Sequence, residues 1–355
     1  MYYKNNIDGL SQEGISIYKK YKPYLKNFKD KKWNAELHIE LADSYFFSGD
    51  VDSAFIYYEK AKNYGIDEQD KAFLAYVKLC MGSAYSRSGA FSESSLNLQE
   101  AYTAFQQLKD TFAVVHSKSL LASLYSNNDF LNEAKAERDE AIQLAILVKD
   151  YGKLASLYKS AAQDDKKKGL EKSRIANLKK AFEYAEKSEF KIANRLGHLS
   201  SLVIAYSEND SIQKAEEIIA TIKKYPEELN KRNRVYYLEA LQHLAFAKGN
   251  YKKAAAYGEE VLRLFRDKQS YIKIRNTELL LSNIHTELNN NEKAFTHFKA
   301  YTHIKDSIAS VKKTASLAHY QTLYETEKRD AKIQEQESNL EVLDCLLYTS
   351  PSPRD

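Results

Sequence analysis

Hydrophobic and small residues recur along the chain with helical spacing, in pairs of segments separated by a turn. Within residues 79–101, Gly89 lies between two such segments, and Leu98 and Ala101 belong to the apolar stripe of the second one. This order predicts a helical hairpin in which two apolar stripes pack together. Gly82 is expected at the point where the two helices approach each other most closely.

The same hairpin pattern returns every forty residues. The small residues Ala42, Gly82 and Ala122 are separated by forty positions, and four later copies continue the pattern. Seven copies in phase cover residues 34–308 and predict an all-α fold, a right-handed superhelical solenoid of stacked antiparallel hairpins. Length alone would suggest about two domains. Because stacked hairpins share one continuous core, the repeats predict a single domain instead.

The copies resemble the tetratricopeptide repeat family, whose fingerprint combines L-G-x2-Y with A-x3-F. Met81, Gly82 and Tyr85 match the first part in one copy, and Ala54 and Tyr58 match the second part in the copy before it. The resemblance implies a non-catalytic module whose first helices line a concave, peptide-binding surface. Because the period exceeds the usual 34 residues of the family, we expect longer helices or loops in each hairpin.

The N-terminal segment continues the repeat phase without a complete hairpin. Gly9, Gly14 and Tyr18 occupy the phase of a second helix, so residues 1–33 are predicted to form a partial, atypical repeat. A terminal repeat that lacks its partner helix exposes an apolar face, which solenoids normally cap. We therefore expect a further N-terminal piece before Met1.

The C-terminal segments differ from the repeats in composition. Residues 309–344 predict a capping or linker helix that becomes almost wholly polar after Tyr324. Residues 345–355, CLLYTSPSPRD, resemble the translated adapter of transposon-based sequencing libraries. We expect these last residues to be an artefact and the natural chain to continue past Asp344.

The junction between the repeats and this helix carries a second resemblance. Lys305-Asp306-Ser307 and the run Tyr324–Lys328 resemble the end of the repeat region in bacterial sensor histidine kinases and helix-turn-helix signalling regulators. This resemblance implies the sensor or scaffold region of a signal-transduction protein on the periplasmic side of the inner membrane. The alternatives are a cytoplasmic, peptide-sensing regulator of the quorum-sensing type and a passive assembly scaffold. The C-terminal helix could also pair two copies in a dimer.

Charge and candidate chemistry add little to this interpretation. The 53 basic and 49 acidic residues are interspersed and leave a net charge of +4, which gives no indication of a nucleic-acid partner. No apolar run approaches the roughly 18 residues of a membrane span. The histidines do not show metal-ligand spacing, and His297 and His303 fall on different faces of a helix. We predict no enzyme activity, no cofactor and no metal.

The predicted binding site is a peptide or protein groove along the inward face of the first helices. Its middle becomes basic in the fourth repeat, which suits a ligand with acidic or carboxylate groups. In the same repeat Asp165 replaces the expected tyrosine, which indicates either a degenerate repeat or a hinge. The predicted groove residues are Phe46, Phe47, Tyr76, Arg87, His116, Asn127, Lys159, Gln163, Lys166, Lys167, His243 and Phe246.

Overall fold

The computed structural model describes residues 11–25, 30–189, 191–226, 229, 231–267 and 270–349, where all regular secondary structure is helical. After α1 (Ser11–Leu25), seven antiparallel hairpins follow one another along the chain. Their first helices are α2 (Lys31–Phe47), α4 (Lys71–Ser88), α6 (Thr111–Asn127), α8 (Tyr151–Lys167), α10 (Lys191–Glu208), α12 (Lys231–Ala247) and α14 (Tyr271–Glu287). Their second helices are α3 (Val51–Asp67), α5 (Phe91–Gln107), α7 (Leu131–Leu147), α9 (Glu171–Lys187), α11 (Ile212–Ile222), α13 (Tyr251–Asp267) and α15 (Asn291–Thr349).

The forty-residue period is confirmed, and helix length explains it. Every first helix begins forty residues after the previous one, from Lys31 to Tyr271. Most of the helices contain 17 residues, and short connections of about three residues complete each repeat. Each hairpin packs against the next, so the apolar stripes merge into a series of buried clusters along the solenoid. The predicted all-α solenoid is therefore the observed fold.

The start of several first helices is fixed by an aspartate that recurs with the same period. Each of these side chains accepts a hydrogen bond from the backbone N–H three residues later, where the helix itself offers no acceptor. A negative charge at this end also interacts favourably with the positive N-terminal end of the helix dipole. The capping residues are Asp30, Asp70, Asp110 and Asp150.

The turn inside each hairpin requires a left-handed backbone. One residue in every turn has a positive φ, between 52° and 92°. Only glycine adopts this region without strain, and asparagine and aspartate tolerate it best among the others. The sequence supplies one of these three residue types at each of the seven turns. The turn residues are Gly49, Gly89, Asp129, Gly169, Asp210, Gly249 and Asn289.

The close approach predicted at Gly82 is present between α4 and α5. A Cβ atom on Gly82 would lie 2.7 Å from Cγ of Leu98, a buried residue of the facing helix. The Ser94 hydroxyl also donates a 2.8 Å hydrogen bond to the carbonyl oxygen of Gly82. The missing side chain therefore sets the distance between the two helices.

This contact yields a stability prediction. Gly82→Ala should lower the free energy of unfolding by about 1–3 kcal/mol, because the added methyl group overpacks the interface with Leu98. The matched control is Gly197→Ala in α10, where a Cβ meets no atom within 4 Å. That variant should raise stability by about 0.5–1 kcal/mol through helix propensity alone. Urea denaturation of both variants checks the prediction, which equal effects of the two would contradict.

The last helix, α15, does more than complete the seventh hairpin. It packs on α14 at its start and then continues as one helix, without a break at residue 309. Ala315 is 2% exposed within the apolar cluster of the second and third repeats. The 24 residue-to-residue steps from Asn291 to Ala315 span about 36 Å. The helix therefore joins the C-terminal end of the solenoid to its N-terminal half.

Contacts at two hairpin turns hold α15 in this position. The ring of His319 lies 4.3 Å from the ring of Phe130, measured between centroids, and 5.6 Å from that of Phe91. Lys312 forms an ion pair with Asp129. Val311 approaches the left-handed turn at Gly89, whose missing side chain leaves room for it.

Some sequence predictions fall on parts of the chain that the structure does not describe. Gly9, with residues 1–10 of the partial N-terminal repeat, lies outside the described residues. The side chains of residues 321–339, including Tyr324, and of residues 341–349 also lie outside them, as do residues 350–355 of the expected artefact.

Candidate ligand-binding groove

The first helices of the later repeats turn toward one another and form a concave surface. The Nζ atom of Lys159, on α8, lies 5.9 Å from the centroid of the Tyr236 ring, on α12. Neighbouring packed helices are about 8–10 Å apart, so helices two repeats away are about 16–20 Å apart in a flat stack. Contact between these two side chains across α10 therefore marks the inward curvature of the solenoid.

Lys159 is the most perturbed cation on this surface. Its pKa is lowered to about 8, mainly by burial and also by the positive charge of Lys273, and Glu239 only partly opposes these effects. Glu239 is already engaged, since its Oε1 atom lies 2.7 Å from Nζ of Lys273. Among the described residues, no carboxylate lies within ion-pair distance of Lys159. The groove thus holds a desolvated ammonium group whose charge is not neutralised directly.

Further basic groups surround this lysine along the first helices. Burial lowers the pKa of His198 to about 4, with Lys159 adding to the effect. On α6, the first helix before α8, burial lowers the pKa of His116 to about 4, and the positive charge of Lys153 contributes to this shift. Burial also lowers the pKa of Lys153, although Asp150 opposes this shift. The histidines are therefore neutral at pH 7, and the lysines supply the positive charge.

Glu208 gathers a second set of basic side chains at the end of α10. Its carboxylate lies 2.8 Å from Nζ of Lys166, 2.7 Å from a guanidinium nitrogen of Arg174 and 3.4 Å from Nδ1 of His243. Burial alone raises the pKa of Glu208, but His243, Lys166 and Arg174 outweigh it and lower the pKa to about 2. This network ties together the fourth, fifth and sixth repeats.

The Glu208 network predicts a specific dependence of stability on pH. The pKa of Glu208 is lower in the folded chain than its ordinary value of 4.5. Its contribution is therefore complete above pH 4.5 and is lost as the pH falls toward 2. Glu208→Gln should lower the free energy of unfolding at pH 7 by about 2–3 kcal/mol, and this deficit should vanish near pH 2.

A matched control separates this network from an ordinary surface ion pair. Glu216 pairs with Lys248, and both side chains are 48% exposed. Glu216→Gln should therefore change the stability by less than about 1 kcal/mol. Chemical denaturation of both variants between pH 2 and pH 7 provides the measurement. A pH-independent deficit for Glu208→Gln would refute this role of the network.

The N-terminal part of the first-helix surface is aromatic instead of basic. Phe47 and Tyr76 are 49% and 47% exposed, which is unusual for large apolar rings. Phe46 lies edge-on to Phe47 with the ring centroids 5.8 Å apart. The guanidinium of Arg87 lies 5.3 Å from the Phe47 ring centroid. This part of the surface is suited to apolar side chains of a ligand.

Several predicted groove residues belong to other surroundings. Lys167 donates to the carbonyl oxygen of Ser126 and forms a 3.0 Å ion pair with Asp129, at the turn that α15 contacts. Phe246 is half-buried and packs on Tyr251 with the ring centroids 5.7 Å apart.

Two more predicted residues can be placed by their exposure alone. Asn127 and Gln163 are exposed, at the end of α6 and near the end of α8.

Of the twelve predicted residues, Lys159, Lys166, His116 and His243 thus lie in the charged middle part of the groove. Phe46, Phe47, Tyr76 and Arg87 form its aromatic part. A role for each in binding remains a prediction.

Five charged or titratable residues of the groove are not among the predicted site residues. Glu239 lies eighty residues after Lys159, and Lys273 lies 120 residues after Lys153, which are whole multiples of the period. A comparison of equivalent positions across repeats could have found these two pairs. The missed residues are Lys153, His198, Glu208, Glu239 and Lys273.

Solved structures with a similar fold support the architecture. A Rap protein complexed with competence and sporulation factor aligns with a TM-score of 0.64 and 15% sequence identity, over 78% of this chain and 76% of that one. Aspartyl phosphate phosphatase F from Bacillus subtilis aligns with a TM-score of 0.63 and 16% sequence identity, over 83% of this chain and 75% of that one. The apo form of the quorum sensor NprR from B. thuringiensis aligns with a TM-score of 0.61 and 12% sequence identity, over 85% of this chain and 83% of that one.

These neighbours share a helical-repeat fold with this chain at low sequence identity. No model of a known protein family matches the chain, and no curated protein matches it. The structural comparisons therefore support a solenoid of the tetratricopeptide-like class.

Proposed function

We propose that this chain is a peptide-binding regulatory module whose first-helix groove takes an acidic peptide. The observation that carries the proposal is Lys159, a desolvated cation without a directly paired carboxylate in the described part of the chain. An unneutralised charge in such surroundings costs free energy, so it is expected where a ligand supplies the counter-charge. A carboxylate of the ligand would restore the interaction that the fold leaves open.

The surroundings of Lys159 favour an anion over a cation. Lys153 and Lys166 lie on the same helix as Lys159, and Lys273 lies on α14, whereas the carboxylates Glu208 and Glu239 are already paired with cations. Complementary charge speeds association and selects against ligands of the wrong sign. The exposed aromatic rings in the first two repeats would bind apolar side chains of the same peptide. The proposed ligand is therefore short, acidic and partly hydrophobic.

The neighbouring structures are consistent with a role in sensing. One of them is a complex with competence and sporulation factor, and another is named as a quorum sensor. Both have the fold of this chain, and the sequence analysis separately named a peptide-sensing regulator as an alternative. We infer a regulator of this kind and assign no reaction to it.

The α15 helix would couple the groove to the rest of the protein. It packs on α14 and also on the turns of the second and third repeats, so it touches the last repeat and the N-terminal half of the curved stack. A ligand that tightened or opened the groove would change the distance between these contacts. We propose that such a change releases or reinforces the docking of α15 and so transmits binding.

Affinity selection tests the proposed function. The probe is a pool of random seven-residue peptides enriched in Asp and Glu, with a matched pool enriched in Lys and Arg. We expect the purified protein to retain acidic peptides selectively and Lys159→Met to retain at least tenfold less. Lys252→Met, which alters an exposed lysine of a second helix, should bind like the wild type. Retention of the basic pool, or of neither pool, would count against the proposal.

A second candidate is the input region of a bacterial sensor kinase. The observation that favours it is the unbroken α15, which continues far beyond the last repeat and carries the segment that resembles those proteins. Within the described residues, no helix combines the length and the apolar character that crossing a bilayer demands.

Reading the uninterrupted gene separates the candidates. A membrane span and kinase domain downstream would favour the kinase, with a periplasmic groove. A DNA-binding or helical-bundle domain upstream would favour the peptide regulator, with a cytoplasmic groove.

A further inference from the structure

Two histidines and a carboxylate converge where the last two repeats meet. His285 on α14 and His297 on α15 stack with their ring centroids 5.4 Å apart and their planes 1° from parallel. Oε1 of Glu259, on α13, lies 3.9 Å from Nε2 of His285 and 3.5 Å from Nε2 of His297. One potential ligand atom from each residue lies within 4.8 Å of the others.

The buried imidazole of His285 lacks the partners that it needs. The residue is 5% exposed, and neither ring nitrogen has a hydrogen-bond partner among the described residues. A buried polar group in this state costs about 1–3 kcal/mol. Its Nε2 atom points toward the carboxylate of Glu259, with a gap too long for a hydrogen bond. An ion between the two groups would satisfy both.

His297 is already oriented by a buried carboxylate. Its Nδ1 atom lies 2.7 Å from Oε2 of Glu278, whose side chain is 1% exposed. Arg266 donates to the other oxygen of Glu278 at 2.7 Å, which holds that carboxylate in place. A carboxylate that accepts a hydrogen bond from one imidazole nitrogen leaves the second nitrogen as a free lone pair. This is the arrangement that commonly supports a metal-bound histidine.

Other hairpins fill the same two positions without histidine. The equivalent residues in the first repeat are Tyr45 and Tyr57, which stack with ring centroids 5.5 Å apart and an interplanar angle of 5°. In the fourth repeat they are Asp165 and Asn177, joined by a 2.7 Å hydrogen bond. Packing of a hairpin thus needs two side chains that contact each other, and it does not need two imidazoles.

We propose that Glu259, His285 and His297 bind a divalent zinc ion. Two imidazoles and one carboxylate form a ligand set that Zn²⁺ uses, with a water molecule completing four-coordination. Two atoms bound about 2.1 Å from a tetrahedral ion lie about 3.4 Å apart. The distances from Glu259 to the two histidines approach this value, and rotation of the two parallel imidazole rings would direct both Nε2 lone pairs at the ion.

The proposed ion would link three helices from two repeats. Glu259 belongs to the sixth repeat, and the two histidines belong to the two helices of the seventh. The site therefore fixes the start of α15 on the stack, before the point where Lys312 and His319 of the same helix contact Asp129 and Phe130. Zinc bound here would stabilise the C-terminal repeats and is independent of the peptide groove.

Metal titration of the chelator-treated protein tests the site. Co²⁺ serves as a spectroscopic probe, followed by competition with Zn²⁺ and by thermal unfolding with and without Zn²⁺. We expect one equivalent of Zn²⁺ to displace Co²⁺ and to raise the melting temperature. Glu259→Gln should weaken Zn²⁺ binding at least tenfold. Glu278→Gln, which alters the orienting carboxylate, should weaken it 10- to 100-fold.

Two further variants keep the test decisive. His285→Tyr restores the residue type found at this position in the first repeat, so the chain should fold but lose stoichiometric Zn²⁺ binding. His303→Ala removes an exposed histidine of α15 outside the cluster and should bind like the wild type. The site is overturned if the wild type takes up no stoichiometric Zn²⁺. It is also overturned if Glu259→Gln, at an exposed position that tolerates the change, binds as tightly as the wild type.

Discussion

Asp164→Ala is expected to destabilise the protein by about 3–5 kcal/mol, because it leaves a buried guanidinium without its counter-charge. Arg138 on α7 and Asp164 on α8 form a 2.7 Å ion pair, and their side chains are only 5% and 4% exposed. The second oxygen of Asp164 accepts a hydrogen bond from the Ser126 hydroxyl. Removal of the carboxylate therefore breaks both interactions at the boundary between the third and fourth repeats.

The neighbouring repeats supply the matched control. Leu98 and Leu178 occupy the position of Arg138 one period away, and Leu124 occupies that of Asp164. A double variant, Arg138→Leu with Asp164→Leu, replaces the ion pair by the apolar residues of those repeats. It should lie within about 1–2 kcal/mol of the wild type, since removing both charges leaves no uncompensated ion. Equal destabilisation by the single and double variants, measured by urea denaturation, would disprove this explanation.

The second large effect concerns Lys159, whose replacement should strengthen the fold while weakening binding. The pKa of Lys159 is about 8 in the folded chain and 10.5 ordinarily. Folding therefore penalises the protonated form, and the penalty is complete below pH 8 and disappears as the pH rises toward 10.5. Lys159→Met should raise the free energy of unfolding at pH 7 by about 1–3 kcal/mol. Thermal unfolding at pH 7 and pH 10 measures the difference, which should shrink at the higher pH.

Replacing Lys159 should weaken peptide binding, although it stabilises the fold. An acidic peptide selected by the wild type should bind more weakly as the pH rises above about 8, because the free protein loses its ammonium charge. Lys159→Met should bind at least tenfold more weakly at pH 7 and should lose this pH dependence. Fluorescence anisotropy with the labelled peptide provides the readout. A variant that is less stable and binds normally would show that Lys159 serves the structure alone.

The fold could be predicted from the sequence because each repeat carries the same residue types at its helix contacts and turns. Small residues such as Gly82 mark close helix contacts, and Gly, Asp or Asn marks the left-handed turn inside each hairpin. A single hairpin would be ambiguous, but seven copies with one period leave few alternatives. The path of α15 could not be predicted in this way. Its docking on Phe130 and Asp129 depends on the curvature of the whole stack, which no local pattern records.

The candidate site was predictable only in part, for a related reason. The basic character of the fourth repeat pointed to Lys159, whereas its environment depends on Glu239 and Lys273 from later repeats. Asp165 shows the same limitation. Its carboxylate accepts hydrogen bonds from Ser173 and Asn177, so α8 continues to Lys167 without interruption. Sequence alone reveals a missing tyrosine, but the replacement partner appears only when the two helices are paired.

Photo-crosslinking tests the central claim, that the first-helix groove is the ligand site. The probe is the tightest acidic peptide from the selection, synthesised with a photoreactive residue and crosslinked to the wild-type protein before mass spectrometry. We expect crosslinks on the first helices α6, α8, α10 and α12, around Lys159, and a loss of these crosslinks in Lys159→Met. Crosslinks confined to the second helices, unchanged in that variant, would contradict the claim.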